Sequence, residues 1–531
     1  MIITEILSRN ARCHGEKIAL VERDPARSLR REITWKEFDR QASLIANALI
    51  AKKIRKSDAV VQLMTNAIEW LPIYFGILRT GAMAVPLNFR FMADKILLCS
   101  KLSDARAVIF GEEFIDRIGE IRHELKERVL FWVFTGPEKL CPPYAEHIGA
   151  LLSDGSPEDP QVEIKITDDA AIYFTSGTTG TPKGVLLTHR NLEFACIVEK
   201  NHHGQTHDDN FLCIPPLYHT GAKMHWFGNF ISGATTVILK GVKPEWILEA
   251  VSEEKITIVW LLVPWAYDIL NAIEDGAIDR SKYNLDQWRL MHIGAQPVPG
   301  NLISRWRKLF PGHEYDTNYG LTESTGPGCV HLGRDNIHKI GAIGIPGFGW
   351  ECMIVNRERN EVPDGEPGEL MIKGAGVMKE YHKNPEESAK ALHGGWLLTG
   401  DVARKDKDGF IWLLDRKKDV IITGGENIYP VEIEDFLMGH SKIKDAAVIG
   451  VPDKRLGEIA MAVIQVKDNV KNNKDNSDPP EEEFRIFCEK LERYKRPRIF
   501  IFDDVPRNPT GKIEKPKLRK KFTGVTSCFT G

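Results

Sequence analysis

Apolar and polar positions along the first third of the chain follow two alternating rhythms. Residues 59–64, interrupted only by Gln62, and 107–110 are short apolar runs of the length and composition of strands buried on both faces. Between them, 67–80 reads as a helix. The alternation returns further on, with strands predicted at 210–214, 235–239, 256–262 and 289–293 and helices at 244–253 and 300–309. Strands that alternate with helices pair in parallel through crossovers, so the chain is predicted to be α/β with largely parallel sheets. Residues 136–169 are richer in Pro, Gly, Asp and Ser and are expected to wrap the surface as a connection. From Gly341 glycines recur and short β-type runs dominate at 352–355, 369–372 and 410–414, which predicts a small β-rich subdomain. A boundary is predicted near 415–418, followed by helix, strand, strand, helix and strand signals sufficient for a small α+β domain. Within it, 467–483 is polar and rich in Asn, Asp and Pro, as an exposed loop is.

Composition narrows the possible classes. A chain of 531 residues exceeds one ordinary core, so at least two domains are expected. A net charge of -3 argues against a generally basic nucleic-acid binder. The 9 cysteines are scattered without a CxxC pair, so neither a cysteine zinc site nor a disulfide framework is predicted, and a reducing cytoplasm fits. Residues 1–17 read as an amphipathic helix and not as a signal peptide. The most apolar run, 256–270, is broken by Pro264 and Asp268 and falls short of the roughly 20 residues that span a bilayer, so no integral membrane segment is expected. No coiled coil or long repeat is present, and the oligomeric state stays open.

The chemistry concentrates in a few strings. An apolar strand at 170–174 runs into Thr175, Ser176, Gly177, Thr178 and Thr179, and the loop ends in Lys183. Glycine lets backbone N–H groups turn toward a ligand, hydroxyls add donors, and lysine adds a mobile charge, which is what a polyphosphate needs. The GxxxxGK[ST] spacing of a Walker A loop is absent. Downstream come Pro216-Leu217-Tyr218-His219, then Gly294-Ala295-Gln296-Pro297, and then Tyr319-Gly320-Leu321-Thr322-Glu323. Tyr319 offers an aromatic face, Thr322 a hydroxyl, and Glu323 a hard oxygen ligand suited to Mg²⁺. Thr399-Gly400-Asp401 places a carboxylate able to accept from two vicinal hydroxyls. Asp415-Arg416-Lys417-Lys418-Asp419, the glycines Gly424 and Gly425, and a final Pro509-Thr510-Gly511-Lys512 complete the series. Residues 493–521 hold 11 Lys/Arg against Asp503, Asp504 and Glu514, a local basicity suited to ATP or coenzyme A.

The string at 173–184 resembles the phosphate loop of the adenylate-forming superfamily, which includes acyl-CoA synthetases, firefly-type luciferases and peptide-synthetase adenylation domains. The other motifs follow in the family's order over nearly the whole chain. The resemblance implies a large N-terminal domain (1–415) of two α/β subdomains plus the β-rich one. A small mobile C-terminal domain (416–531) follows, with its hinge at Lys418. It further implies that Gly294, Ala295, Gln296 and Pro297 line the adenine pocket, that Asp401 binds the ribose, and that Arg416 contacts the nucleotide. His219 would gate the acyl carboxylate, Glu323 would carry Mg²⁺, Lys512 would serve adenylation, and Gly424 and Gly425 would line a pantetheine tunnel. The activity implied is an AMP-forming acyl-CoA synthetase, a ligase acting on ATP, a small carboxylic acid and coenzyme A.

His219, Trp226, Trp265 and Gly320 are expected at the acyl pocket. The two tryptophans would favour short- or medium-chain, aromatic or alicyclic acids over long fatty acids. Lys223 is a further candidate there, as a partner for an anion. A stand-alone adenylation enzyme for another acid and a luciferase-like oxygenase share the ATP motifs. The chain ends soon after Lys512 without a carrier domain, which suits a stand-alone form. The half-reactions are reversible, so synthesis of ATP from acyl-CoA is a further possibility.

Overall fold

The computed structural model describes residues 1–175, 182–294, 298–333, 335–467, 481–507 and 512–524. Two large sheets carry the first 320 residues. In one, five parallel strands run in the order Glu314–Asp316, Leu290–Gly294, Ile258–Leu262, Asn210–Cys213 and Thr235–Leu239, and the hairpin Ile18–Asp24/Leu29–Thr34 extends the edge. In the other, Ala59–Leu63 sits centrally, with Met83–Pro86 on one side and Ala105–Phe110 on the other, all parallel. Its far side ends in the antiparallel pair Asp169–Thr175/Lys183–Thr188. The predicted strands are therefore present, and each central one is buried along its length, which explains why they read as apolar runs broken only by Gln62 and His292.

The helices Trp35–Ala51, Trp70–Arg79, His189–His203 and Thr220–Ile231 share one apolar core with strands of both sheets. Interlocked rings anchor it: Phe38 meets Phe75 edge-on at 5.4 Å, and Phe75 and Trp226 lie 5.1 and 4.8 Å from Phe230. The predicted helix 67–80 begins only at Trp70. The region 136–169 is more ordered than its composition suggests. Glu146–His147 adds an edge strand, and the short helix Ile148–Asp154 buries Ile148 and Leu151 in the main core. Two apolar residues three apart suffice to dock one turn, a signal hidden among the loop-forming residues around them.

Beyond residue 341 the strand pairings are antiparallel except for that of Ile499–Phe502. Trp350–Val355, Gly368–Gly374, Trp396–Lys405 and Ile411–Arg416 form the β-rich layer. After the turn at 417–420, the long hairpin Ile443–Asp453/Gly457–Val466 is joined by Ile421–Thr423 and, in parallel, by Ile499–Phe502. Helices Pro430–Met438 and Glu481–Phe487 cover one face and Lys515–Lys521 the other, giving this segment apolar clusters of its own. In the connecting turn, Asp419 and Val420 donate backbone bonds to the carbonyl of Arg416, and Lys418 is exposed. Among the described residues, no helix is long and apolar enough to cross a membrane.

Candidate functional site

The hydroxyl- and glycine-rich loop joins two antiparallel strands, in which Thr175 pairs opposite Lys183. Those two residues flank the loop; Ser176, Gly177, Thr178 and Thr179 lie outside the described residues. Lys183 donates to Glu387 and its ammonium lies 4.9 Å from the centre of the Tyr381 ring. Hydrogen bonds from Lys183, and secondarily Lys390, pull the Glu387 carboxyl down to about 2. The Tyr381 hydroxyl in turn donates to Glu323 Oε1 at 2.8 Å. A single chain of contacts thus links the loop's lysine to the carboxylate of the Tyr-Gly-Leu-Thr-Glu string.

A second cluster forms where the β-rich layer meets strand Asn318–Gly320. Asp401 and Arg416 are paired in register on adjacent strands, so Arg416 Nε reaches Asp401 Oδ1 at 3.0 Å while Tyr319 donates to Oδ2 at 2.6 Å. Asp401 is 4% exposed, and its charge is the main reason the Arg416 pKa rises. Gly320 is required sterically, because a Cβ there would lie 2.7 Å from the carbonyl oxygen of Gly326. Gly294 ends its buried strand; Ala295, Gln296 and Pro297 lie outside the described residues. Gly424 and Gly425 both adopt positive φ (58° and 93°) at the tip of the hairpin Ile421–Thr423/Glu426–Ile428, a two-residue turn that glycine accommodates without strain.

His219 caps the helix Thr220–Ile231 by accepting from Gly221 N at 3.0 Å. Burial, with a smaller contribution from Lys512, pushes its pKa down to about 3, so the imidazole is neutral at physiological pH. The next residue, Thr220, lies 3.3 Å from Thr322 through their hydroxyls. Lys512 arrives from the C-terminal segment. It is exposed over the residue as a whole, yet the protein packed around its ammonium lowers its pKa, Arg416 adds to the drop, and Asp401 and Glu323 oppose it. Residues spread from 219 to 512 therefore act on one another at a single place.

The acyl-side candidates separate. Trp226 is fully buried among Phe75, Phe227 and Phe230 and forms part of the aromatic core. Its helix presents Thr220, Lys223 and Phe227 to a crevice shared with Tyr173 and Thr325 that is too narrow to hold a water molecule. Trp265 is partly exposed at the junction of the two main clusters.

Lys223 is 1% exposed. Its ammonium sits 4.0 Å from the ring centres of both Tyr74 and Tyr173 and 5.3 Å from that of Trp70. Burial drives its pKa well below the ordinary 10.5. The unfolded chain then binds the extra proton, so this site's contribution to stability falls as pH drops from about 10.5 toward the depressed folded value. Lys223→Met keeps the stem against the rings and removes the buried charge. Its unfolding free energy is expected to exceed wild type by roughly 1–3 kcal/mol near pH 7, with the gap closing as pH rises. Denaturant unfolding at several pH values checks this, and a destabilised variant would mean that the rings hold the ammonium charged.

Sequence reading passed over another group. His202, His203, His225, His292, Glu199 and Asp316 are all buried and adjacent in space. Their spacing in the chain follows no metal-ligand pattern, and only the neighbouring His202-His203 pair was visible as a signal.

Among known proteins, residues 7–382 match the family described as AMP-binding enzyme, and 432–512 match the AMP-binding enzyme C-terminal domain. A feruloyl-CoA synthase of an Amycolatopsis species is 33% identical over 92% of this chain and 94% of its own length. A medium-chain fatty-acid–CoA ligase of Escherichia coli is 30% identical over 98% of this chain and 90% of its own. The crystal structure of the anthranilate CoA ligase AuaEII in complex with anthranoyl-AMP superposes with a TM-score of 0.88 at 27% identity, covering 98% of this chain and 97% of that one.

Proposed function

The chain belongs to the AMP-binding enzyme family of AMP-forming acyl-CoA ligases, and from that premise we propose that its site works as follows. A carboxylate of the substrate acid attacks the α-phosphorus of ATP, pyrophosphate leaves, and coenzyme A then displaces AMP from the acyl adenylate. The observation that carries this reading is the convergence of Lys512 with Asp401, Arg416 and Glu323. A carboxylate and a triphosphate repel each other, so a positive group brought in at the reacting atoms lowers the barrier.

Asp401 holds the ribose, with Arg416 and Tyr319 fixing its carboxylate. Tyr319 backs the adenine, Arg416 contacts the nucleotide, and Thr322, paired with Thr220, meets the α-phosphate. Thr175 and the loop up to Lys183 cradle the β- and γ-phosphates, Lys183 exchanging Glu387 for pyrophosphate. The oxygen donors of Glu323, Thr322 and Thr220 suit Mg²⁺, which would be held at Glu323 and would supply charge neutralisation on the phosphates. Neutral His219 stands between helix and site as an uncharged wall for the acyl carboxylate.

The second step needs Lys512 replaced by the thiol. Residues 1–415 and 416–531 are proposed to act as two bodies turning at Lys418, which brings Gly424 and Gly425 toward the pantetheine arm. Lys418→Pro is expected to spare adenylation and slow thioester formation from supplied acyl-AMP by at least about tenfold. Single-turnover measurement of the two steps distinguishes this from a general defect, in which both slow equally.

The substrate is proposed to be a short- or medium-chain, aromatic or alicyclic acid. Trp265 partly covers the junction near the site, and polar atoms stand close to Gly294: His292 Nε2 and Trp260 Nε1 are 3.9 Å from where a side chain there would begin. A long alkyl chain finds no use for such groups. AMP release across acids of two to sixteen carbons, benzoate, hydroxycinnamates and cyclohexane carboxylate tests the proposal. Highest kcat/KM with the long saturated acids would overturn the substrate class, and no AMP release with any acid would overturn the reaction.

A further inference from the structure

Next to the strand that ends at Gly294, three histidines and a carboxylate aim at one point. His202 and His203 close helix His189–His203, and His292 and Asp316 face each other on the adjacent strands Leu290–Gly294 and Glu314–Asp316. All four are at most 8% exposed. His203 Nε2 lies 3.1 Å from His292 Nδ1 and 3.7 Å from Asp316 Oδ2, and His202 Nε2 lies 3.3 Å from the same oxygen. His292 Nδ1 also contacts Asp316 Oδ1. Four ligands around a tetrahedral zinc ion, with bonds of about 2.0–2.2 Å, stand about 3.3–3.5 Å apart. The separations of 3.1, 3.3 and 3.7 Å bracket that range, and the His292–Asp316 contact is shorter than it.

Hydrogen bonding leaves the cluster incomplete. Neither ring nitrogen of His202 has a hydrogen-bond partner, although both are buried and Nε2 faces the cluster. Buried polar atoms left in that state cost about 1–3 kcal/mol each. Charge points the same way. Glu199, fully buried, lies beside the cluster, and neither it nor Asp316 pairs with a lysine or arginine among the described residues; their ionic partners are histidines alone. A divalent cation would neutralise two carboxylates without protonating any ring.

Glu199 also occupies the position of an outer partner. Its carboxylate lies 3.6 Å from His203 Nδ1 and 3.2 Å from His225 Nδ1, and it accepts from the Asn318 amide at 3.3 Å. A carboxylate behind a histidine fixes the tautomer whose opposite nitrogen carries the lone pair toward the metal. We propose that His202, His203, His292 and Asp316 form a closed, four-coordinate site for a divalent ion of the zinc class, oriented by Glu199. Three imidazoles and one carboxylate suit zinc and not Mg²⁺, which takes oxygen ligands. With all four positions supplied by protein, the ion ties the end of a helix to two strands beneath Gly294 and serves to position the pocket.

The test uses the full-length protein, stripped with chelator, reloaded with Zn²⁺ or Co²⁺ and passed through gel filtration. The expected result is about one ion retained per chain, a visible absorption band of tetrahedral cobalt, and a higher melting temperature in the loaded form. His202→Gln, at the helix end, and His292→Gln are each expected to lose the band and the retained ion while circular dichroism stays that of a folded chain. Should either variant fail to fold, Glu199→Gln is expected to weaken zinc affinity by about 10- to 100-fold with the same stoichiometry. Folded wild-type protein retaining no ion and showing no cobalt band would overturn the site. So would variants that keep the wild-type metal content, since the ion would then lie elsewhere. ATP–pyrophosphate exchange measured in parallel keeps this outcome separate from that of the ligase reaction.

Discussion

Lys512→Ala is expected to suppress carboxylate-dependent ATP–pyrophosphate exchange by about 100- to 1,000-fold, or roughly 3–4 kcal/mol of transition-state stabilisation. The ammonium is the positive group that the C-terminal segment adds to a site already holding Asp401, Arg416 and Glu323. Its pKa is lowered by the surrounding protein, with the two carboxylates opposing, and its charge is felt as far as His219. A donor placed where charge develops is worth most in the transition state, so kcat should fall more than affinity for ATP. Thioester formation from supplied acyl-AMP no longer needs the lysine at the phosphorus and is expected to stay within a few-fold of wild type. Wild-type exchange in the variant would remove Lys512 from the first step and leave the site without its mobile charge.

Asp401→Ala should act on nucleotide binding. One side-chain oxygen of Asp401 takes Arg416 at 3.0 Å and the other takes Tyr319 at 2.6 Å. Bonds to a charged acceptor contribute about 1.5–3 kcal/mol each, so losing the ribose contacts is expected to raise KM for ATP by about 100-fold with a smaller fall in kcat. The buried Tyr319 hydroxyl also loses its partner, which should cost about 1–2 kcal/mol of stability, so the assay belongs at a temperature where the variant is folded. An unchanged KM for ATP, with folding intact, would place the ribose elsewhere.

Much of this molecule was readable before any coordinates. The central parallel strands were visible because each is buried on both faces and so appears as a largely apolar run. The loop between Thr175 and Lys183, the Tyr319–Glu323 string and Asp401 stand out in the sequence because each sets chemically restricted residue types at a few consecutive positions. The helix at 148–154 was missed for the opposite reason, its two apolar anchors being too few to stand out from a polar connection. The surroundings of Trp226 were not legible in the sequence because a helix has several faces: periodicity finds the apolar one, and only packing says which rings lie opposite.

The sequence by itself determined the α/β architecture and the order of the nucleotide motifs, because these depend on local pattern and residue chemistry. The tertiary structure alone decided which distant residues meet. Register on two strands sets Asp401 against Arg416, and the C-terminal segment carries Lys512 to both. Three separate elements carry His202, His203, His292 and Asp316 to one buried point. Contacts between elements far apart in the chain leave no periodic trace in it, since each partner is chosen for a neighbour that only folding supplies.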